Sequence, residues 1–226
     1  MKILTIIPAY NEEGNIKRVV DNLIAKYHQY DYLIINDCST DNTRQICQEN
    51  RYNTIDLATN LGLSGAVQTG FQYAYDNDYD MALQFDGDGQ HKPEYISKLV
   101  EGINEGFDIM IGSRFVNEKK PFNLRMMGNI LISMAIFMST GKKIKDPTSG
   151  MRMFNKKMIK EFAQNMNRGP EPDTIAYQLQ KGSDIKEIQV EMDERIAGTS
   201  YLNIVNSLKY MLTMITSILF IQRFRK

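Results

Sequence analysis

Asp86 and Asp88 stand one residue apart where the apolar run MALQF gives way to DGDGQH. Two carboxylates this close repel each other, and burying either one unpaired is costly. A divalent cation removes both problems. Carboxylates, an amide oxygen and water suit Mg²⁺ or Mn²⁺, which also keep phosphate ligands. Asp88 and Gln90 are best placed as metal ligands, while Asp86 either helps the metal or holds a nucleotide. On spacing alone, a polar loop with glycines for its turns accounts for the same residues. His91 either touches metal or diphosphate or stands behind them in the loop. Other nucleotide signatures are missing, with no GxxxxGK[ST] and no GxGxxG after a strand.

An apolar run that stops on acids needs a scaffold that brings strand ends together. Short β-rich runs alternate with helical patterns: strands in KILTIIP, YLIIND, NTIDLA, MALQFD and FDIMIGS, and helices between them. The first helix has apolar residues at Ile16, Val19, Val20, Leu23 and Ile24, a helical spacing. This alternation predicts an α/β fold with a mostly parallel central sheet flanked by helices. Ligands on such sheets bind outside the carboxyl ends of the strands. The strand ends carry PAYNE, NDCSTD, TNLG, DGDGQH and GSR. After Arg114 the rhythm changes. A Met- and Ile-rich helix (NLRMMGNILISMAIFMSTGKK) leads to the turn and strand DPTSGMRMF. The acidic turn and helix GPEPDTIAYQLQKG, the strand DIKEIQVEM, the loop DERIAGTSY and a long final helix follow.

The 226 residues carry 27 acids and 27 bases, and this balance argues against a general nucleic-acid binder. Cys38 and Cys47 form no CxxC and read as reduced, intracellular thiols. The N-terminus MKILTIIPAYNEE does not read as a signal peptide. The longest near-apolar run, YMLTMITSILFI, falls short of the roughly 20 residues of a membrane span.

The segments IIPAYNEEGNI, INDCSTDNT, NLGLSGAVQTGF, FDGDGQH, IGSR, DPTSGMRMF and RIAGTSY occur in that order. Together the chain resembles the family 2 glycosyltransferases of the GT-A (nucleotide-diphospho-sugar transferase) fold, on the dolichyl- and polyprenyl-phosphate sugar synthase branch. The resemblance implies a catalytic domain over residues 1–200 and an amphipathic C-terminal helix over 201–226. It implies that Pro8, Ala9, Tyr10, Glu12 and Gly87 border the nucleotide sugar, that Asp37 bonds its base or ribose, and that Asp86 lies near ribose and metal. Asp88 and Gln90 would hold Mg²⁺ or Mn²⁺ across the diphosphate. Arg114 would place the acceptor phosphate or the donor, and Arg195 would contact a phosphate. Relatives often carry a lysine after the serine of RIAGTS, where this chain has Tyr201, so Arg195 inherits more of the phosphate grip.

The implied reaction is one-step inversion, in which the acceptor attacks the anomeric carbon opposite a departing nucleoside diphosphate. UDP is favoured over GDP by resemblance alone. A hydroxyl acceptor, for instance on a growing cell-surface polysaccharide, needs a carboxylate base. Glu171 and Asp173 lie where many relatives place one, although a helix N-terminus also favours acids. A phosphate acceptor, with a second pKa of about 6, needs arginines instead. Arg114, Arg125, Arg152 and Arg195 suit it. A non-catalytic nucleotide-sugar-binding subunit is a third reading, opposed by the intact Asp37, Asp86, Asp88 and Gln90 set. Asn60, Gly62 and Gly65 read as turn and packing residues; Asp146, Ser149 and Gly150 either line the acceptor side or build a turn. The final helix has only a narrow polar stripe (Asn203, Asn206, Lys209, Thr213, Thr216) and a basic end, Arg223, Arg225 and Lys226. It packs on the domain or lies in a bilayer interface, as does the earlier Met-rich helix ending in Lys142 and Lys143. The expected location is cytoplasmic, peripheral on the inner face of the cell membrane, with a small membrane protein as a further docking partner.

Overall fold

A computed structural model describes residues 1–121, 124–164, 171–193 and 204–222, leaving aside the side chains of 124, 125 and 204–208. Arg195, Tyr201 and the basic end at 223–226 lie outside the described residues, as does the side chain of Arg125.

Seven strands form one sheet: β1 (Ile3–Ala9), β2 (Asp31–Asn36), β3 (Thr54–Asp56), β4 (Met81–Gln84), β5 (Ile109–Ser113), β6 (Arg152–Asn155) and β7 (Ile185–Gln189). Their spatial order is β3-β2-β1-β4-β6-β5-β7. β1 pairs in parallel with β2 and β4, β2 with β3, and β5 with β7. The expected mostly parallel sheet is therefore present. The exception is β6, antiparallel to both β4 and β5, with Arg152 opposite Gln84 and Ile111. The parallel strands deliver their last residues to one edge of the sheet. An antiparallel strand delivers its first, so Arg152 and the DPTSG turn before it arrive beside the end of β4.

Both faces of the sheet are covered, which is why β1 is buried at all seven positions. Alternate residues feed two cores. Ile3 and Ile7 face Ile16, Val19, Val20 and Leu23 of α1 (Ile16–Tyr27) and Leu99 and Ile103 of α4 (Ile96–Asn104). Leu4 and Ile6 face α3 (Gly62–Asp76) and α6 (Lys156–Gln164). The sequence reading names no helix at α6. Its Met158, Ile159, Phe162 and Ala163 form a buried stripe, and Phe71, Phe154 and Phe162 meet with ring centroids 5.0–5.3 Å apart. The remaining helices are α2 (Thr43–Glu49), α5 (Leu124–Thr140), α7 (Pro172–Gln180) and α8 (Ile204–Thr216); α8 runs on into a π-helical turn, Ser217–Ile221. Tyr210, Met211, Met214, Ile215 and Leu219 of this last stretch pack on the same core through α5 and α7.

Candidate active site

The loops after β1 and β2 interlock. Asn11 donates its backbone N–H to Ser39 Oγ (3.0 Å) and accepts from the Thr40 N–H (2.8 Å). Glu13 N–H bonds Asp41 (3.0 Å), and Glu13's carboxylate receives the Asn42 N–H (3.0 Å). Glu12 is drawn in by its N–H to Thr43 Oγ1 (2.8 Å) and by Asn15 Nδ2 on its carboxylate (2.7 Å). Pro8 and Ala9 are buried at the strand end while Tyr10 is 43% exposed. Asp37 is buried, its N–H on the Ala9 carbonyl and its Oδ1 accepting from the Leu61 N–H at 2.7 Å. Asn60 donates to the Asp37 carbonyl, so TNLG braces this rim. The result is a shelf at the strand edge, bounded by exposed Tyr10 and the hydrogen-bonded acids Glu12 and Asp37.

β4 continues along β1 beyond its formal end, through Phe85 N–H to Ile6 O (3.0 Å) and Gly87 N–H to Pro8 O (3.3 Å). This puts Asp86 beside the rim. Gln84 donates to Asp86 Oδ1 (3.1 Å), and the His91 ring lies 3.4 Å from Oδ2. Burial works to raise the Asp86 pKa, but the His91 contact, Gln84 and the charge of Arg152 outweigh it and hold the carboxyl below its ordinary value. Asp88 is 8% exposed and accepts the Gln90 N–H on Oδ1 (3.0 Å) across Gly89, whose φ of +77° favours glycine. Gln90 is tied to the segment after β7: its carbonyl accepts from Asp193 N–H (2.9 Å) and its side-chain nitrogen donates to Asp193 O (3.3 Å). That leaves the amide oxygen as the end of Gln90 that suits a cation. Among the described residues, no three His, Cys, Asp or Glu side chains gather to enclose a metal. The oxygen donors of Asp88 and Gln90 nonetheless fit Mg²⁺ or Mn²⁺, which take one or two carboxylates and leave places for phosphate.

Across from these acids lies a second cluster. Arg114 grips Asp146 with both tines, Nε to Oδ2 (2.7 Å) and a terminal nitrogen to Oδ1 (2.8 Å). Asn129 of α5 adds a bond to Asp146 (3.0 Å), whose side chain is wholly buried. Burial pushes Asp146 up, yet Arg114 and Asn129 bring it below the ordinary carboxylate range. Arg152 is buried too, donating to the Pro147 carbonyl at 2.6 Å. Burial disfavours its charge, and Glu171, Tyr210, Asp86 and Asp146 support it. Glu171 caps α7 and accepts the Tyr210 hydroxyl of α8. Its pKa is raised, first by burial and then by Asp173 and Asp86, against the pull of Tyr210 and Arg152. Asp173 receives Ser217 Oγ (2.7 Å) and Gln222 Nε2 (2.9 Å).

The model of the family described as "Glycosyl transferase family 2" matches residues 5–163. The chain belongs to glycosyl transferase family 2. It is 37% identical over 186 residues to a UDP-N-acetylglucosamine–dolichyl-phosphate N-acetylglucosaminyltransferase of Methanococcus voltae, covering 73% of each chain. It is 35% identical over 178 residues to a dolichol-phosphate mannosyltransferase of Pyrococcus furiosus, spanning 73% of this chain but about half (49%) of that one. A solved glucosyl-3-phosphoglycerate synthase of Mycobacterium tuberculosis, in complex with Mn²⁺, UDP and phosphoglyceric acid, superposes with a TM-score of 0.71. It is 14% identical and covers 97% of this chain and 78% of that one. The fold is GT-A, and the protein is a glycosyltransferase.

In this glycosyltransferase, Pro8, Ala9, Tyr10, Glu12, Asp37, Asp86, Gly87, Asp88 and Gln90 border one edge of the sheet. Arg114 reaches that edge at the end of β5, its guanidinium turned onto Asp146. Asp146, Ser149 and Gly150 build a turn: Ser149 Oγ donates to Gly112 O at 2.5 Å, and Gly150 backs directly onto Asp86. Sequence reasoning counted Arg152 only as one arginine among four and missed Asn129, Tyr210, Ser217 and Gln222. The last three sit on a helix whose pattern is otherwise apolar, and no local signal separates them from its polar stripe.

Proposed function

We propose that the protein transfers a sugar from a nucleoside diphosphate sugar, UDP in preference to GDP, to polyprenyl phosphate, with inversion at the anomeric carbon. The observation that carries this reading is the position of Asp86 and Asp88. They lie at the seam between the shelf made by the first two loops and the cluster around Arg152. The lipid-phosphate acceptors in the names of the two curated relatives support it.

On this reading Pro8, Ala9, Tyr10, Glu12, Asp37 and Gly87 seat the nucleotide, and Asp86 orients its ribose side. Asp88 and Gln90 would hold Mg²⁺ or Mn²⁺, which stabilises charge on the departing diphosphate when bound. Arg114 and Arg195 supply positive charge for the acceptor and donor phosphates. A phosphate monoester is largely ionised at neutral pH, with a second pKa of about 6, so attack requires no protein base. Glu171 then balances Arg152 instead of taking a proton.

The membrane is the seat. No helix of the described residues is long and apolar enough to cross it. Exposed Met127, Ile130, Leu131, Met134, Phe137 and Met138 line one side of α5, with Leu212, Phe220 and Ile221 exposed on α8 and its π-turn. Such faces suit an interface, and Lys142 and Lys143 beyond α5 suit anionic headgroups.

One observation favours a second reading, transfer to a sugar hydroxyl: half-buried Glu171, its pKa raised by burial, suits a general base. A transfer assay separates the two. Purified full chain receives Mg²⁺ or Mn²⁺, radiolabelled UDP- and GDP-sugars, and polyprenyl phosphate in detergent. Label entering the organic phase, and lost in Asp88→Ala, is the expected result. Donor binding without lipid product, together with label on an oligosaccharide that Glu171→Gln abolishes, would establish the hydroxyl acceptor instead.

A further inference from the structure

We propose that α8 and its π-turn are the positioning wall of the active centre, with Tyr210 holding Glu171 and the Ser217–Gln222 pair holding Asp173. Three side chains from one short stretch end on two acids at the start of α7: Tyr210 on Glu171, the N-cap residue, and Ser217 and Gln222 together on Asp173 Oδ2. Gln222 also donates to Ser217 Oγ at 3.2 Å, closing the triangle.

The π-turn makes this triangle. In an α-helix, residues five apart point about 140° away from each other, at 3.6 residues per turn. An i→i+5 turn brings them nearly into line, and π-turns concentrate at functional positions. Ser217–Ile221 is such a turn; Ser217, Ile218 and Gln222 face inward while Phe220 and Ile221 face out. One irregularity therefore clamps Asp173 and also presents the outer apolar residues.

The consequence follows through Glu171. Its carboxylate accepts the Tyr210 hydroxyl of α8 and feels the charges of Asp173 from α7, Arg152 at the start of β6 and Asp86 beyond β4. The Tyr210 hydroxyl donates to it and, with Arg152, favours the ionised form against burial. Arg152 in turn takes support from Glu171 and Asp86. Loosening α8 would thus disturb the buried guanidinium and the acid at the donor seam without touching any residue that contacts the nucleotide. Tyr210, Ser217 and Gln222 are positioning residues. Their effect on turnover rests on the transfer reading above; the clamp itself does not.

Tyr210→Phe removes one oxygen and keeps the ring. Carboxyl ¹³C NMR of the full chain follows the Glu171 titration, and the assay follows turnover. The expected result is a Glu171 titration moved to higher pH. The acid limb of kcat moves with it in the same direction, and donor KM holds. Placing Tyr210→Phe on Glu171→Gln is expected to add nothing. Ser217→Ala should lower kcat and Ser217→Thr, which keeps a hydroxyl, should restore it. An unmoved Glu171 titration in folded Tyr210→Phe, or additive losses in the double variant, would overturn the proposal. A moved titration in a chain that makes no lipid product would retain the clamp and sink the transfer reading.

Discussion

A methyl group on Gly150 would lie 1.9 Å from Asp86 Oδ2, so the carboxylate must leave its place between Gln84 and His91. Gly150→Ala is expected to cost about a hundredfold in kcat with little change in urea midpoint, because a 1 Å displacement of a site group has that effect. Asp146 tests the opposite balance. It is wholly buried, paired with Arg114, and well separated in sequence from the strand-end acids. Asp146→Asn leaves the guanidinium without its carboxylate and is expected to destabilise the chain by about 3–5 kcal/mol in urea unfolding. Donor binding by whatever folded fraction remains should survive, since the Asp37 and Asp86 rim stands on other strands.

At the scale of elements, α5 and α8 pack together; α5 exposes an apolar row, and α8 with its π-turn exposes Leu212, Phe220 and Ile221. Met134→Glu or Phe220→Glu removes an exposed apolar side chain and adds a charge, without opening a core cavity. Each is expected to weaken co-sedimentation with vesicles containing anionic lipid at least about tenfold, from the 1.5–3 kcal/mol that such a side chain gains on burial. Donor binding and melting temperature should stay as in the parent chain. An unchanged vesicle affinity in both variants would remove the interface reading. β6 shows why element direction matters. Read as a strand, RMF is ordinary; run antiparallel, it sets Arg152 at the site and Asn155 at the far end, opposite Met81.

The whole molecule carries its charge balance into its pH response. Asp146 and Asp108 both titrate below their ordinary value. Burial opposes this in each; Arg114 overcomes it at Asp146, and Asn155, the Asp184 N–H and Lys157 at Asp108. A depressed carboxylate contributes stability that is present above its unfolded pKa, about 3.9, and lost as pH falls through the folded value. Glu171 runs the other way: raised by burial, it favours the fold below the ordinary glutamate value and loses that contribution as pH rises through its raised one. Urea midpoints should therefore fall steeply below about pH 4. The fall should be shallower in Asp146→Asn, which has already lost one of these depressed acids.

The α/β alternation is legible along the chain, because strand and helix periods are local and the polar strand ends are written in order. The shelf is legible as well: residues 8–12, Asp37 and the DGDG loop each end a parallel strand, and parallel strands of one sheet must end at one edge. Tertiary structure alone decided the other half. Helix α6 gives no clear local signal, because its apolar stripe is short and charged residues interrupt it. The Asp146 fork on Arg114 and the reach of Tyr210, Ser217 and Gln222 to the start of α7 join residues 32 to 49 apart in sequence, and the reversal of β6 pairs Arg152 with the more distant Gln84. No local period encodes such contacts. They exist because α8 must bury its inner apolar row on the core, and in doing so it brings its few polar side chains against acids that burial would otherwise leave unsatisfied.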